Sequence, residues 1–527
     1  ERSFEFRDGE VVGPDGTEHR ECEVEWDERI TAAFQIENPQ RWWPRGYGDQ
    51  PLYRVQIALR DAEGNPLDEW SGRIGLRSVR LNTDPDEIGS KFQIEINDIP
   101  VFCKGANWIP DDCFFDRIPP ERYRRRIEQA CESNMNILRV WGGGIFEQDE
   151  FYDICDELGI MVWQDFLYAC AAYPECEPFW SLSEAEARQN VTRLSPHPSL
   201  VIWNGCNENV WGYFDWGWQN VLDDDQPWGA GYYLDLLPRV CAELDPSRPY
   251  WPASPYSGTM DIHPSDDGHG NKHVWTQWFG ETAYDDSRQH RPRFASEFGF
   301  QGAPNISTLQ RVVSEGHWSR TSQQMLAHQK CPNGQDLLNN KLLREFPEPA
   351  TYDDWLYLTQ VLQVRALEVA VEWMRSSQPR CMGLIYWQLN DCWPVMSWAA
   401  IDGDGKPKPL WHATRRFYAD RALTIQPDEH CLPTLYATND TDEPWRGDLR
   451  LARMTMDGQT LVDGEDAFDL APRSTAAVFS FGPAFGSPSD PTREFLCAEG
   501  DGQRALWFFN PDKLLHYPAP DFDAELT

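Results

Sequence analysis

Lysine is scarce in this 527-residue chain: there are eight, against thirty-nine arginines. Together they are outnumbered by 85 Asp and Glu, leaving a formal net charge of −38. A surface so short of positive charge repels nucleic acid and anionic membranes, which excludes both as partners. The acidic residues are spread along the chain rather than run together, so an acidic disordered tail is excluded too. Sparse Lys with abundant Asp and Glu resembles the proteins of salt-loving archaea, in which high salt screens the repulsion, and sets a halophilic expectation.

The fourteen cysteines form no C-x-x-C pair, which argues against a zinc ribbon or a thioredoxin-like motif. Cys103, Cys131, Cys155 and Cys206 fall inside strand or helix patterns, as free buried thiols in a reducing cytoplasm would. There is no apolar run of 18 residues and no signal peptide, so a cytoplasmic location is expected for a chain that begins at Glu1 without a Met. No internal repeat has a fixed period, and nothing in the residues assigns an oligomeric state.

The chain is rich in aromatic residues, at 13% with 25 Trp, a load suited to large cores and to stacking the apolar faces of sugar-like rings. Its length calls for two to four domains. Up to about residue 90, alternating stretches such as Cys22–Trp26, Ile30–Ile36 and Leu52–Leu59 predict an immunoglobulin-like antiparallel β-sandwich, with Arg41–Gly48 as a Pro/Gly turn packed under two Trp. Over 91–420 the rhythm becomes strand, helix, strand. Strands are predicted at Val101–Trp108, Ile137–Trp141, Met161–Phe166, Leu200–Glu208, Tyr250–Ser254, His273–Trp275, Arg293–Glu297 and Gly383–Asn390. Helices are predicted at Pro120–Ser133, Glu147–Leu158, Leu182–Leu194 and Tyr352–Arg375. Eight strands alternating with helices predict a (β/α)8 TIM barrel. Over 421–527 the alternation returns, and a second β-sandwich is expected. The fold class is thus a central barrel flanked by sandwiches.

Two of the barrel strands end in a carboxylate. Leu200-Val201-Ile202-Trp203 leads through Asn204-Gly205 to Glu208, and Arg293–Ser296 leads to Glu297. Both would project from the C-terminal rim, where barrel enzymes carry their chemistry, and two carboxylates facing across a pocket are the minimum needed to cleave a glycosidic bond. Taken singly, either Glu is more often a solvated rim charge.

The company these residues keep changes that reading. Arg139-Val140-Trp141-Gly142-Gly143-Gly144, Val162–Phe166, Trp203–Glu208, Ala295–Gln301 and Tyr386–Pro394 occur in that order, and the set resembles the β-mannosidases of glycoside hydrolase family 2. The resemblance implies a retaining exo-β-mannosidase acting on terminal non-reducing β-D-mannose, with another family 2 exo-β-glycosidase or a non-catalytic sugar-binding fragment as the alternatives. It implies Glu208 as the acid/base, Glu297 as the nucleophile and Asn207 as a ligand of the sugar 2-hydroxyl. It further implies Trp141 and Trp387 as aromatic walls, Arg139 and Asp165 as polar strand-end residues that orient the nucleophile or bind a hydroxyl, and Trp393 as a substrate contact. The implied partner is an oligosaccharide or glycoside, with no cofactor and no metal. His263, His269 and His273 fit no metal-ligand spacing and are expected to be loop histidines. The sequons at Asn190, Asn305 and Asn439 are expected to be chance matches. Two departures stand out. The resemblance implies an N-terminal jelly roll that lends a sugar-contacting carboxylate, and its absence before the sandwich is the expectation here. Phe279 falls where several relatives have a Tyr beside the nucleophile, with Tyr284 as a possible substitute.

Overall fold

A computed structural model describes residues 36–60, 63–222, 226–281 and 285–519, together with the backbone of short strands between residues 11 and 34. Eight short parallel strands form its centre: β1 (Cys103–Trp108), β2 (Ile137–Val140), β3 (Met161–Asp165), β4 (Leu200–Asn204), β5 (Tyr250–Trp251), β6 (Lys272–Val274), β7 (Ala295–Phe298) and β8 (Gly383–Tyr386). Their hydrogen-bonded order is β5-β4-β3-β2-β1-β8-β7-β6, so neighbours in sequence are neighbours in space, with β8 returning beside β1. Between β5 and β6 the circle is joined by a single bridge, Tyr256 to Asn271. This is the expected barrel. The connecting helices include α1 (Pro120–Glu132), α2 (Asp149–Leu158), α3 (Phe179–Leu194), α4 (Asn209–Asp215) and α5 (Tyr352–Arg375).

Every residue of β1, β2, β3, β4, β7 and β8 is buried, as expected for parallel strands covered on both faces. Inside the barrel Phe92, Trp163, Trp251 and Phe294 form an aromatic cluster, with ring centroids 5.0–5.7 Å apart. A solid interior confines a ligand to the rim.

The N-terminal strands Val11–Val12, Glu18–His19, Tyr53–Arg60 and Pro66–Ile74 form one antiparallel sheet. The Arg41–Gly48 turn joins this sandwich to the barrel, because Trp42 is fully buried in the barrel's core cluster and its indole donates to the carbonyl of Asp156 in α2 at 2.8 Å. The C-terminal sandwich stacks a three-stranded sheet (Arg421–Pro427, Pro433–Asn439, Ser474–Ser480) on a four-stranded one (Trp445–Thr455, Thr460–Leu470, Glu494–Gly500, Gln503–Phe508). Leu423, Leu435, Trp445, Leu449 and Leu496 lie in its core. Charges bind it to the barrel: buried Lys104 of β1 reaches the exposed Asp420 at 2.7 Å and the buried Asp440 at 3.2 Å, and buried Arg375 of α5 reaches Asp440 at 2.7 Å.

The structure also departs from the sequence reading. β4 stops at Asn204 rather than Glu208. Its direction is continued by single bridges from Asn207 to Ala169 and to Ser254, and Glu208 becomes the residue that caps α4. Between β7 and α5, where no element was expected, short helices form at Ile306–Val312, Gln323–Ala327 and Gly334–Glu345.

Candidate active site

The site is built from strand ends of the barrel. Glu297 lies within β7 and is 3% exposed. Glu208 stands just past β4 with φ 62° and ψ 0°, a left-handed conformation uncommon for a residue with a side chain. Backbone bonds on both sides hold it there: its N–H donates to Ser254 at 2.8 Å, and its carbonyl accepts from Gly212 at 2.7 Å. Strain of this kind persists only where the surroundings over-determine it, and it collects at functional sites. A carboxylate oxygen of Glu208 and one of Glu297 lie within 4.8 Å of each other.

Arg139, fully buried on β2, holds this arrangement together. One terminal nitrogen donates to Glu297 Oε1 at 2.7 Å and to Asn107 Oδ1 at 3.0 Å. The other donates to Asp165 Oδ2 and to Asn207 Oδ1, each at 2.7 Å, and Nε donates to Asp165 Oδ1 at 3.2 Å. Burial works against the guanidinium charge, but Asp165 and Glu297 outweigh it and raise its pKa. Asp165 is fully buried, and its two oxygens also accept from Trp163 Nε1, Asn204 Nδ2 and the Gly142 amide. With five donors already on it, Asp165 is placed to orient Arg139, and no free face is left for a sugar hydroxyl.

Asn207 Oδ1 accepts from Arg139, which fixes the amide and leaves Nδ2 as the group it can offer a ligand. That nitrogen lies 3.4 Å from the thiol of Cys170, which also sits 3.5 Å from Glu208 Oε2. Trp141 and Trp387 meet edge to face at 5.0 Å, both half-buried. Gly143 leaves room for the first ring, since a Cβ there would fall 2.0 Å from the indole of Trp141. Trp393 lies on the loop after β8, packed on His328 with ring centroids 5.0 Å apart. Phe279 ends a short helix (Thr276–Phe279) and is 61% exposed; Tyr284 lies outside the described residues.

One expectation about the histidines is corrected. His263 and His269 are loop residues, paired with Asp215 at 3.0 Å and Asp266 at 2.7 Å. His273, however, is a fully buried member of β6, and its Nδ1 lies 2.7 Å from Glu208 Oε1 and 3.3 Å from Glu297 Oε2. A strand was expected at His273–Trp275, but the carboxylates its ring faces come from beyond β4 and from β7, so the sequence did not show what His273 touches. Asn107 was missed for a different reason: its partner lies on another strand. Of the sequons, Asn439 is fully buried and Asn305 donates its amide to Asp402.

Burial pushes the Glu208 carboxyl up to about 7, with Cys170, Arg139 and Trp275 pulling the other way. Burial raises Glu297 as well, and there the opposing groups include the Arg139 guanidinium in direct contact. Burial pushes His273 down to about 3, so the ring is neutral. The site therefore holds one carboxyl poised to give up a proton near neutral pH and a second with a cation at bonding distance.

Comparison with known proteins gives the following. Residues 4–77 match the glycosyl hydrolases family 2 profile, and residues 434–503 match the mannosidase Ig/CBM-like domain. The chain is 35% identical over 430 residues to a β-mannosidase of Bos taurus, covering 76% of this chain and 48% of that protein. It is 36% identical over 413 residues to β-mannosidase B of Emericella nidulans, with the same coverage. The chain thus spans about half the length of these relatives. Among solved structures, the β-D-mannosidase of Dictyoglomus thermophilum superposes with a TM-score of 0.88 at 37% identity, covering 93% of this chain and 60% of that one. An exo-chitosanase of Amycolatopsis orientalis superposes with a TM-score of 0.73 at 18% identity, over 94% of this chain and 59% of that one, a likeness of fold.

Proposed function

Because the chain belongs to the family 2 glycosyl hydrolases, we propose that it removes terminal non-reducing β-D-mannose from manno-oligosaccharides by a retaining double displacement. The observation that carries this reading is the pair Glu208 and Glu297, with oxygens within 4.8 Å of each other and different surroundings. Retaining glycosidases hold their two carboxyls about 5–5.5 Å apart, whereas inverting ones leave room for a water between them.

In this reading Glu208, protonated in the free enzyme, gives its proton to the departing glycosidic oxygen. Glu297, kept ionised by Arg139, attacks the anomeric carbon and forms a glycosyl ester. Esterification removes the negative charge beside Glu208, which then takes a proton from the water that cleaves the ester. Asn207 Nδ2 is placed to donate to the sugar 2-hydroxyl, and Trp141 and Trp387 would flank the ring. The acidic surface supports a high-salt setting for the same activity.

The reading is tested by comparing turnover of p-nitrophenyl β-mannoside, β-glucosaminide and β-galactoside across low and high salt. Preference for the mannoside is expected; glucosaminide turnover equal to or above it would overturn the substrate assignment. A second expectation concerns pH. A group with a raised pKa is protonated below that value, so the acid is available below about pH 7 and kcat/KM falls as pH rises through it. Glu208→Ala should erase that basic limb. It should cost about 10²–10⁴-fold on mannobiose and far less on a dinitrophenyl mannoside, whose leaving group needs no proton. Equal losses on both substrates would remove Glu208 from the acid role.

A further inference from the structure

We infer that His273 is a positioning residue whose Nδ1–H occupies Oε1 of Glu208 and so confines the acid proton to Oε2, the oxygen beside the exposed Cys170. The inference rests on the reading of Glu208 as the acid.

The ring is fully buried on β6, and each nitrogen has defined neighbours. Beneath it Nε2 lies 2.8 Å from Ser254 Oγ, and that oxygen lies 2.9 Å from Ser296 Oγ. Asn271 Nδ2 donates to both hydroxyls, at 2.7 Å and 2.8 Å. The orientation of this amide is fixed from behind, because its Oδ1 accepts from the Trp251 indole at 2.9 Å and the Tyr256 amide at 3.1 Å, and both of those groups can only donate. Ser254, already an acceptor from Asn271, is able to give its own proton to Nε2, while Ser296 can give its proton to Ser254 at 2.9 Å or to the Lys272 carbonyl at 3.4 Å.

Above the ring the opposite tautomer is opposed. With the proton on Nε2, the Nδ1 lone pair would face Glu297 Oε2 at 3.3 Å, a carboxylate bonded by the Arg139 guanidinium, and would find a donor in Glu208 only while that acid carried its proton on Oε1. With the proton on Nδ1, the N–H bonds Glu208 Oε1 at 2.7 Å and keeps its positive end 3.3 Å from Glu297 Oε2. The other charged or titratable groups facing this cluster are Arg139 from β2 and the Cys170 thiol after β3; the Trp211 ring stands edge-on to the imidazole at 6.1 Å. None of these competes for Nδ1. A protonated Glu208 that already accepts on Oε1 carries its hydrogen on Oε2, and the Cys170 sulfur at 3.5 Å, a donor to the ionised carboxylate, is then an acceptor. Once that hydrogen has left, the same oxygen is free to accept one from water, so a single atom serves both steps.

The tautomer can be read without substrate. In the ¹⁵N spectrum of the histidine-labelled chain, the signals lost in His273→Asn should be those of a ring protonated on Nδ1 and bare on Nε2. The reverse pattern would overturn the inference. Kinetics supply the second readout. The Nδ1 donor stabilises the charged carboxylate, so removing it in His273→Leu raises the acid's pKa and moves the basic limb to higher pH. The same variant should lose about 10–100-fold on mannobiose and much less on the dinitrophenyl mannoside. His273→Asn, which keeps an N–H near the position of Nδ1, should recover most of the loss. Equal losses on both substrates with an unmoved limb would overturn the positioning role. Should His273→Leu not fold, Ser254→Ala removes the donor to Nε2 and should shift the limb in the same direction. A chain that hydrolyses no β-mannoside would overturn the proposed function and leave the tautomer measurement to stand or fall alone.

Discussion

Glu297→Ala is expected to lower kcat/KM on β-mannosides by about 10⁴-fold or more, the scale at which enzymes that form covalent intermediates lose activity with their nucleophile. No neighbouring group can stand in. Asp165, the nearest other carboxylate on the Arg139 guanidinium, is fully buried with five donors on its oxygens. Glu208 caps α4, its backbone fixed at φ 62°. The alanine also leaves a cavity that a small anion can enter. Azide should restore turnover on an activated aryl mannoside and yield the α-mannosyl azide, because attack would then come from the nucleophile's side of the ring. Residual activity within tenfold of the parent chain, or rescue that yields the β-azide, would show that the attacking group is elsewhere.

Arg139→Met carries the second large effect, and it falls on stability as well as on rate. Four side chains from different parts of the barrel converge on this guanidinium: Asn107, Asp165, Asn207 and Glu297. Methionine fills much of the volume but leaves two buried carboxylates without their cation. Breaking a buried ion pair from one side costs about 3–5 kcal/mol, because the remaining charge is left uncompensated. The expected result is a loss of that order in unfolding free energy, read from denaturant titration, with activity abolished. Glu297 would also lose the group that keeps it ionised, so the residual protein should bind mannose-like ligands more weakly at neutral pH. Arg139→Lys should rescue little, since a single ammonium cannot address four acceptors with the geometry of a planar fork. Unchanged stability in Arg139→Met would mean that the two carboxyls take up protons instead, which proton uptake on folding would reveal.

The parts of this molecule that sequence could show are those set by local pattern. β4 and β8 are short apolar runs bounded by turn residues, and α5 is long enough for its apolar period to show. Glu208 was found from the turn after such a run, and Glu297 from the motif Ala295–Gln301 around it. Glu208 was nonetheless placed one element too early. Its left-handed backbone turns the chain from β4 into α4, and no run of side chains announces that turn. The Arg139 network was legible only as residue types. Its partners lie 26, 32, 68 and 158 positions away, so the contacts exist only once the barrel has closed. The strand carrying His273 was legible, but its setting was not, because the partners Ser254, Asn271 and Ser296 come from the segments around β5, β6 and β7. Trp42 lies between these cases: the Trp-Trp-Pro turn was recognisable as a packed turn, and the structure adds the element it packs on, α2.

The central claim is that Glu297 forms a covalent bond with a mannosyl group while Glu208 supplies and retrieves the proton. The most direct measurement incubates the chain with a 2-deoxy-2-fluoro-β-mannosyl fluoride, in which the fluorine slows both steps and the good leaving group lets the first proceed. The digested protein is then examined by mass spectrometry. A fluoromannosyl group on the peptide carrying Glu297, absent in Glu297→Ala, is the predicted result. A label on any other residue, or none on a chain that turns over β-mannosides and releases α-mannose as first product, would contradict the retaining mechanism and the assignment together.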